Sequence, residues 1–330
     1  METIQVRASD GTPIAKHVIV ACDRCRDRAH RFGAPASVAG KVYEMKPPLW
    51  TTLVLLTTTG SARAELADSL IATTVEHYPA AASGALPGKI AINFVRANAG
   101  VPIGVGENTT LIAGAGYELV DAQPTSADSL QLHAVKALFG VDQRIGKRLE
   151  LLLLGEAGLA SDFKDPVDSN DLLLSATGFV TYAFGESFKL GAGAIYDRRA
   201  GQLAPLPAVL LDLRLGERFR VHGFAPVWLS AEYRCFDWLD VGARANLDGN
   251  RFRLGKETWD LEHAELAYSN FSVGPKVTFN FSDWFHLDVY AAGAVYRRFE
   301  VFQDDQSYLR SDLSPVIGYG ARFWIAPAGW

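Results

Sequence analysis

The feature that most constrains the fold of this chain is an alternation of apolar and polar side chains with a period of two residues. Side chains two residues apart in a strand share one face of a sheet. In the stretch Phe271 to Phe281 the odd-numbered positions are apolar and the even-numbered ones include Lys276 and Asn280. Such stretches of roughly 8–18 residues follow one another from about residue 68. They predict a sheet with one apolar and one charged face.

The same division into two faces recurs in three further stretches. Their apolar faces carry Phe285, Leu287, Val289 and Val295; Val209, Leu211, Leu213 and Leu215; and Val227, Leu229, Ala231 and Tyr233. The segment 126–141 also fits helical spacing, but its neighbours on both sides are extended, so we predict a strand there. No apolar run beyond residue 64 is long enough for a membrane helix.

Two kinds of connection take turns along the chain. Short turns lie at 105–108, 145–148, 184–188, 215–219, 235–239 and 281–285. Between them come looser segments at 121–130, 162–171, 198–204, 247–263 and 302–311, and a tight turn at 223–226. Outer-membrane barrels alternate short periplasmic turns with long external loops. The pattern therefore favours a closed antiparallel up-and-down transmembrane β-barrel over a soluble antiparallel sheet with its charged face in water.

The number of strands follows from the positions of the chain ends. We find 13 candidate strands between residues 88 and 326, and an even number would be reached if the segment 70–78 is a first strand. The prediction is 12–14 strands, with 14 preferred. Twelve would result if residues 218–235 formed one bent strand and the segment 70–78 stayed outside the barrel.

Aromatic residues collect beside the short turns. They are Phe184, Phe188, Phe219, Phe236, Trp238, Phe281, Trp284 and Phe285. Aromatic residues at strand ends are typical of the interfacial girdles of membrane barrels. The chain also ends in an aromatic-rich segment that closes on Trp330, which favours recognition by the outer-membrane insertion machinery.

A secretory signal peptide is predicted at residues 45–64. Lys46 supplies the basic start, Leu49 to Leu56 the apolar core, and Ala62 and Ala64 the small residues before a cut that would leave Glu65 as the first residue. Because such signals act at the front of a chain, we interpret residues 1–44 as an extension from an early start codon and residues 65–330 as the barrel. Residues 1–44 contain Cys22, Cys25 and His30, too few ligands for a structural zinc site.

Charge and cysteine content narrow the possible partners of the exported part. Residues 65–330 keep 23 of the 32 Lys and Arg and 32 of the 37 Asp and Glu, a net charge of 23 − 32 = −9. This balance argues against nucleic acid as a partner. Only Cys235 remains, so no internal disulfide can form. We expect membrane lipid and the insertion machinery as partners, and a monomer.

The segment from Leu190 to Arg234 resembles the signature of an uncharacterised bacterial outer-membrane β-barrel family. The resembling features are the strand "AIYDRR", the following "LPAVLL" strand, the "LGERFR" turn, and "FAPVWLSAEYR". The likeness extends more loosely over about residues 75–300. It implies an outer-membrane barrel, and it carries over no catalytic residue because the family brings no known activity.

Candidate sites compete with structural explanations. His222 and His286 lie on the polar face, with Glu232, Asp240 and Asp288 as possible orienting acids, and would serve a lipid-modifying barrel enzyme. Hydrogen bonding inside the lumen is the favoured interpretation of both histidines. The glycine pairs 114/116, 191/193 and 318/320 lie within strands and lack the following helix of a nucleotide-binding loop; we expect them to relieve curvature or make room for aromatic rings.

Charges on the polar face are the last feature the sequence offers. The basic ones are Lys189, Arg214, Arg220, Arg234, Arg244, Lys276 and Arg322, and the acidic ones are Glu150, Glu156, Asp212, Glu232, Asp240 and Asp288. Similar numbers of both signs fit a cross-linked lumen as well as an ion-conducting one. We predict no catalytic residue, no cofactor and no metal site, and the acidic segment 247–263 lacks the spacing of a calcium loop. The function predicted is a small channel, a transporter or a structural membrane component; the alternatives are a lipid-modifying enzyme and a soluble periplasmic protein that binds an apolar ligand.

Overall fold

Antiparallel strands account for most of the described chain, as the alternation of side chains predicts. The computed structural model describes residues 70–85, 88–197, 204–256, 258, 263–304 and 306–325. The strands are β1 (Ile71–Ala82), β2 (Lys89–Val105), β3 (Thr109–Pro124), β4 (Leu130–Ile145), β5 (Leu149–Ser161), β6 (Leu172–Ala183), β7 (Phe188–Asp197), β8 (Ala204–Leu215), β9 (Phe219–Ala225), β10 (Trp228–Phe236), β11 (Leu239–Arg253), β12 (Ala264–Asn280), β13 (Phe285–Gln303), β14 (Gln306–Asp312) and β15 (Val316–Ile325). The predicted signal peptide, the segment 1–44 and Trp330 lie outside the described residues.

The strands close into one barrel. From β1 to β14 each strand pairs with the next along the chain, β15 pairs with β13, and β1 pairs with β15 from Ile71 opposite Ile325 to His77 opposite Tyr319. The strands β14 and β15 share one position in the wall, because both pair with β13. Residues 298–303 of β13 pair with β14, and residues 285–294 pair with β15. The wall therefore has 14 positions, and the predicted closed antiparallel barrel with 14 strands is confirmed.

The 12-strand alternative is wrong in both of its assumptions. The segment 70–78 lies in the wall as β1, paired on both sides. Residues 219–236 form two strands, because the chain reverses between Ala225 and Trp228 and Val227 N bonds back to Phe224 O. Val227 is buried in this turn and is not part of the outward apolar face, contrary to the prediction for that residue.

The wall is uneven in height. The strands β6 to β10 have 7–12 residues, whereas β2 to β4 and β11 to β13 have 15–19. Beyond the ends of the short strands β6 to β10, β11 lies next to β5, and Arg253 of β11 pairs in parallel with Ser161 of β5. On the opposite side Ser83 pairs with Leu313. The long strands thus close a second, narrower barrel, which we call the long-strand half; the part that includes β6 to β10 is the wide half.

Three segments that were predicted as loose loops are partly strand. β11 continues to Arg253, β3 and β4 leave only residues 125–129 between them, and β13 and β14 meet in a tight hairpin after Gln303. Most of the segment 126–141 is strand, as predicted, because β4 begins at Leu130. The physical reason for the error is that the polarity of the two faces reverses along the strands, so the outer parts do not read as lipid-facing strands.

This reversal places two apolar cores inside the barrel. In the long-strand half the inward side chains are mostly apolar and include Ile92, Phe94, Val120, Leu132, Phe252, Leu266 and Phe299. A second buried cluster lies inside the short strands and includes Phe179, Ile195, Phe224 and Trp228. Among the described residues no helix is long and apolar enough to cross a membrane.

Candidate functional site: the charged lumen

The outer surface of the wide half is an apolar belt. Its exposed side chains include Val101, Ile103, Phe139, Leu153, Leu174, Val180, Val209, Val273 and Val289. The predicted apolar faces of β8, β12 and β13 therefore point away from the lumen. At the short-turn end the predicted aromatics are exposed, with Phe236 stacked on Trp238 at 5.7 Å and Phe184 on Phe188 at 5.1 Å between ring centroids. A continuous apolar surface of this size suits lipid.

The outer surface of the long-strand half is polar. His77 Nδ1 lies 2.7 Å from Asn93 Oδ1, and Asn93 Nδ2 donates to Asp121 Oδ2 at 3.3 Å. On the next strands Tyr117 and His133 are joined at 2.7 Å. These side chains point outward, since their sequence neighbours on the same strands are buried inside the barrel. These outward polar side chains therefore begin where the apolar belt ends.

A layer of six charged side chains crosses the lumen where the two halves meet. We call it the lumen belt, and its members are Glu76, Arg96, Glu118, Lys136, Glu156 and Asp248. Each member comes from a different strand, β1 to β5 and β11. All six residues are at most 5% exposed.

Arg96 is the centre of one side of the lumen belt. Its Nη1 atom lies 3.0 Å from Glu76 Oε2 and 3.2 Å from Asp248 Oδ1, and its Nε lies 3.5 Å from Glu118 Oε1. Tyr290 Oη donates to the second oxygen of Glu76 at 2.6 Å. A buried guanidinium shared by three carboxylates is held in place because each charge lacks water as an alternative partner.

Lys136 is the centre of the other side. Its Nζ atom lies 3.7 Å from Glu118 Oε2 and 3.8 Å from Glu156 Oε2. Asn250 Nδ2 donates to Glu118 Oε2 and Ser175 Oγ donates to Glu156 Oε2, both at 3.0 Å. Glu118 thus joins the two sides into one network. The lumen belt has four carboxylates and two cations, so it carries a surplus of acid.

A second network lies in the wide half. Glu232 binds Lys276, and Asp288 Oδ2 lies 3.9 Å from Lys276 Nζ and 3.7 Å from Arg322 Nη1. Nearer the short-turn end, Arg220 donates to both oxygens of Asp212, Arg234 bonds to Asp240 at 3.3 Å and Lys189 to Glu150 at 3.5 Å. Most of the basic and acidic residues predicted for the polar face therefore face the lumen in ion pairs, whereas the Arg244 guanidinium lies over the Tyr290 ring at 4.3 Å.

The lumen opens toward the short-turn end. There the side chains of Lys189, Arg214 and Arg234 are about half exposed, at 45%, 56% and 54%. Lys276 and Arg322, further in, are 9% exposed. We call the open part the vestibule. It ends at the lumen belt, beyond which the inward side chains of the long-strand half are mostly apolar.

Comparison with known proteins places the chain in a family. The family described as a domain of unknown function (DUF6268) matches residues 109–308. The chain belongs to this family. The match confirms the predicted resemblance to an uncharacterised outer-membrane barrel family and includes the segment from Leu190 to Arg234 on which the prediction rests. Curated proteins gave no match.

Solved structures share the barrel architecture with this DUF6268 protein at low similarity. An outer membrane channel from Pseudomonas putida F1 has 9% identity and a TM-score of 0.45, and the alignment covers 86% of this chain and 100% of the channel. The Pseudomonas putida toluene transporter TodX has 9% identity and a TM-score of 0.37 over 81% and 94% of the chains. LpxR from Salmonella typhimurium has 8% identity and a TM-score of 0.31 over 77% and 99%. Similarity at this level does not indicate a shared function.

The two candidate histidines of this DUF6268 protein have structural partners. His222 Nε2 lies 3.1 Å from Glu232 Oε1, and Ser230 Oγ donates to the same oxygen at 2.8 Å. The carboxylate therefore lies between serine and histidine, whereas a catalytic triad places the histidine between them. His286 Nδ1 lies 2.7 Å from Asn280 Oδ1, and its ring stacks on Trp324 at 3.9 Å. Both histidines contribute to the hydrogen bonding of the lumen.

Sequence reasoning missed most of the lumen belt. Of its six members only Glu156 was predicted. The signal that identifies four of the others is a charge near the middle of the strand that shares the parity of buried neighbours, as with Glu76 in β1, Arg96 in β2, Glu118 in β3 and Lys136 in β4. In the described part of the chain no group of three or more His, Cys, Asp or Glu side chains is arranged to hold a metal ion.

Proposed function

We propose that this protein is an outer-membrane barrel that passes a small hydrophilic solute through a lumen closed at the lumen belt. The observation that supports this most directly is the gradient of exposure along the charged lumen, from the half-exposed Arg234 of the vestibule to the buried Arg96. A purely structural barrel needs no graded set of paired charges facing an open vestibule. The apolar belt around the wide half supports the membrane location.

The orientation and biogenesis follow from the same proposal. The short-turn end, with its aromatic residues, lies on the periplasmic side and the long-strand half projects outward. The chain is exported by the segment 45–64, cut after Ala64, inserted by the outer-membrane insertion machinery, and works as a monomer. Sequencing the mature N-terminus of protein from outer-membrane fractions tests the export step: Glu65 as the first residue supports it, and a start near residue 2 contradicts it.

Solute influx into lipid vesicles tests the transport step. We expect the wild-type protein to pass small solutes slowly and the double variant K136A/E156A to pass them several times faster, because it removes an ion pair that closes the belt and leaves neither charge of the pair unpaired. The matched control is K189A/E150A, which removes a Lys–Glu pair of the vestibule, where the side chains are 45% and 29% exposed. This control is expected to match the wild type.

Folding is verified for every variant by the shift in gel mobility between unheated and boiled samples. Transport is wrong if correctly folded wild-type protein and K136A/E156A both leave the vesicles as impermeable as lipid alone. A structural role would then be the better conclusion. An equal gain in both double variants would contradict the assignment of the lumen belt as the barrier.

A further inference from the structure

Three polar side chains lie side by side on the lumen face of β11, β12 and β13. In the strand register, Asp248 of β11 lies opposite Asn270 of β12, and Asn270 lies opposite Arg297 of β13. Their residues are 0%, 0% and 1% exposed. Because neighbouring strands are about 5 Å apart, a carboxylate, an amide and a guanidinium follow one another in a row. We call these three residues the lumen row.

Every member of the lumen row keeps polar atoms without a hydrogen bond. Among the described residues these atoms are all three guanidinium nitrogens of Arg297, both Oδ1 and Nδ2 of Asn270, and Oδ1 of Asp248. The last of these lies 3.2 Å from Arg96 Nη1 but receives no hydrogen bond. Buried polar groups are almost always satisfied by protein, water or a ligand. Three adjacent side chains with unsatisfied hydrogen-bond donors and acceptors therefore indicate that a small polar ligand binds beside them.

Arg297 lacks an anionic partner. Its guanidinium carbon lies 5.3 Å from the centre of the Tyr78 ring, and its other polar neighbour is the hydroxyl group of Tyr268. Within the described part of the chain no carboxylate lies within 4.0 Å of it. The other fully buried arginine of the lumen, Arg96, has three carboxylate partners. A guanidinium buried without a counter-charge can bind a carboxylate through two parallel hydrogen bonds.

The order of charges along the lumen row determines which kind of ligand fits it: an anion, a cation or a molecule with both charges. At one end Asp248 belongs to the acid-rich lumen belt and attracts a cation; at the other end Arg297 attracts an anion. Asn270 between them can accept a hydrogen bond through Oδ1 and donate one through Nδ2. A simple anion would face the surplus acid of the belt, and a simple cation would face Arg297. A ligand with both charges meets both ends.

We propose that the lumen row binds a small zwitterion whose ammonium and carboxylate groups are separated by a single carbon atom, as in an α-amino acid. Arg297 holds the carboxylate, Asp248 receives the ammonium group, and Asn270 bonds to both. This inference rests on the proposed function, because it names the class of solute that the closed lumen would hold.

Heat unfolding of the purified protein in detergent tests the inference directly. The probes are free glycine, sodium acetate and methylammonium chloride, at ionic strength matched with sodium chloride, and the readout is the temperature at which gel mobility changes. We expect free glycine to raise this temperature in a saturable way and the two single-charge probes to do so only at concentrations at least about tenfold higher, because each satisfies one end of the row.

Two row variants and one control separate binding from general effects of solute. R297M and N270L are each expected to raise the half-saturating concentration of free glycine at least about tenfold. R298M is the control, since Arg298 points outward and pairs with Asp312 at 2.7 Å; it should respond like the wild type. Two row variants are used so that a folding failure of one leaves the other as a test.

An equal response of wild type, R297M and N270L to free glycine would mean a general solute effect with only water at the row, and would overturn the inference. A wild-type response to acetate as strong as that to free glycine would overturn the zwitterion assignment. The outcome is independent of the vesicle experiment. Binding without influx overturns transport alone, and influx without binding overturns the lumen row alone.

Discussion

At the scale of the residue, the interior of this barrel depends on charges that have only other buried groups as partners. Replacing Arg96 by methionine leaves Glu76, Glu118 and Asp248 as buried carboxylates without their shared cation. Removing one partner of a buried ion pair costs about 3–5 kcal/mol, so we expect R96M to lower the unfolding temperature strongly in heat-unfolding gels. R214M, which removes an arginine with a 56% exposed side chain, should cost no more than about 1 kcal/mol.

The double variant R96M/E76Q decides whether charge or packing causes that loss. Glutamine keeps an oxygen that can accept from Tyr290 Oη but removes one of the three carboxylates that lose Arg96. We expect the double variant to be more stable than R96M alone. If it is equally unstable or worse, the loss arises from the missing arginine side chain and not from unpaired carboxylates.

Glycine is required where an aromatic ring crosses a neighbouring strand. A Cβ atom at Gly318 would lie 2.4 Å from Tyr78 Cδ1, and one at Gly320 would lie 2.7 Å from Tyr290 Cζ. The expectation that these glycines make room for rings is confirmed. We expect G318A to cost about 1–3 kcal/mol, because the ring or the strand must shift. G104A, at a position with no atom within 4 Å, should be close to neutral in the same unfolding measurement; an equal cost would indicate a general effect on strand propensity.

At the scale of the element, the seam between β5 and β11 closes the long-strand half over the short strands. Asp162 holds it: its carboxylate accepts from Gly255 N at 3.0 Å, from Lys164 N at 3.2 Å, and from Thr258 Oγ1. We expect D162A to open residues 162–165 and 254–256 to protease while the barrel stays folded, since the strand ladders are untouched. Cleavage sites are mapped by mass spectrometry.

D165A is the matched control for the seam, since Asp165 accepts only one bond across it in the described structure, from Lys256 N at 2.9 Å. It should increase cleavage less than D162A does. Equal cleavage in wild type and D162A would show that backbone pairing of Ser161 with Arg253 holds the seam without the carboxylate.

The sequence was most informative about elements and least informative about their outer ends. Alternation and turn residues were sufficient for the strand count, the inward charges of β8 to β13 and the aromatic short turns, because a lipid-facing strand has an unambiguous apolar side. They were insufficient for β11 beyond Leu247, where Asp248 and Asn250 face inward and read as a polar loop. The lumen belt was missed because its charges are single, one per strand, and only the closure of the barrel brings Arg96 beside Asp248.

At the scale of the whole molecule, the polarity of the wall reverses along the barrel axis, and this reversal fixes its depth in a bilayer. The apolar belt surrounds the wide half, and the long-strand half has polar side chains outside and apolar ones inside. One substitution therefore has opposite consequences at two heights. Arginine at an outward position of the belt must lie in lipid, whereas arginine at an outward position of the long-strand half lies in water.

We expect L153R to reduce insertion into lipid vesicles, because Leu153 is an outward, 48% exposed residue in the middle of the apolar belt and arginine near the bilayer centre costs about 2–4 kcal/mol. Q131R, outward on β4 beside Leu132, which faces the core, should insert like the wild type. The fraction of heat-modifiable protein after folding into vesicles measures both. In detergent micelles, which adapt to a local charge, the two variants should fold alike. Equal insertion of L153R and Q131R would place the bilayer elsewhere on the barrel, and poor insertion of Q131R alone would place it around the long-strand half.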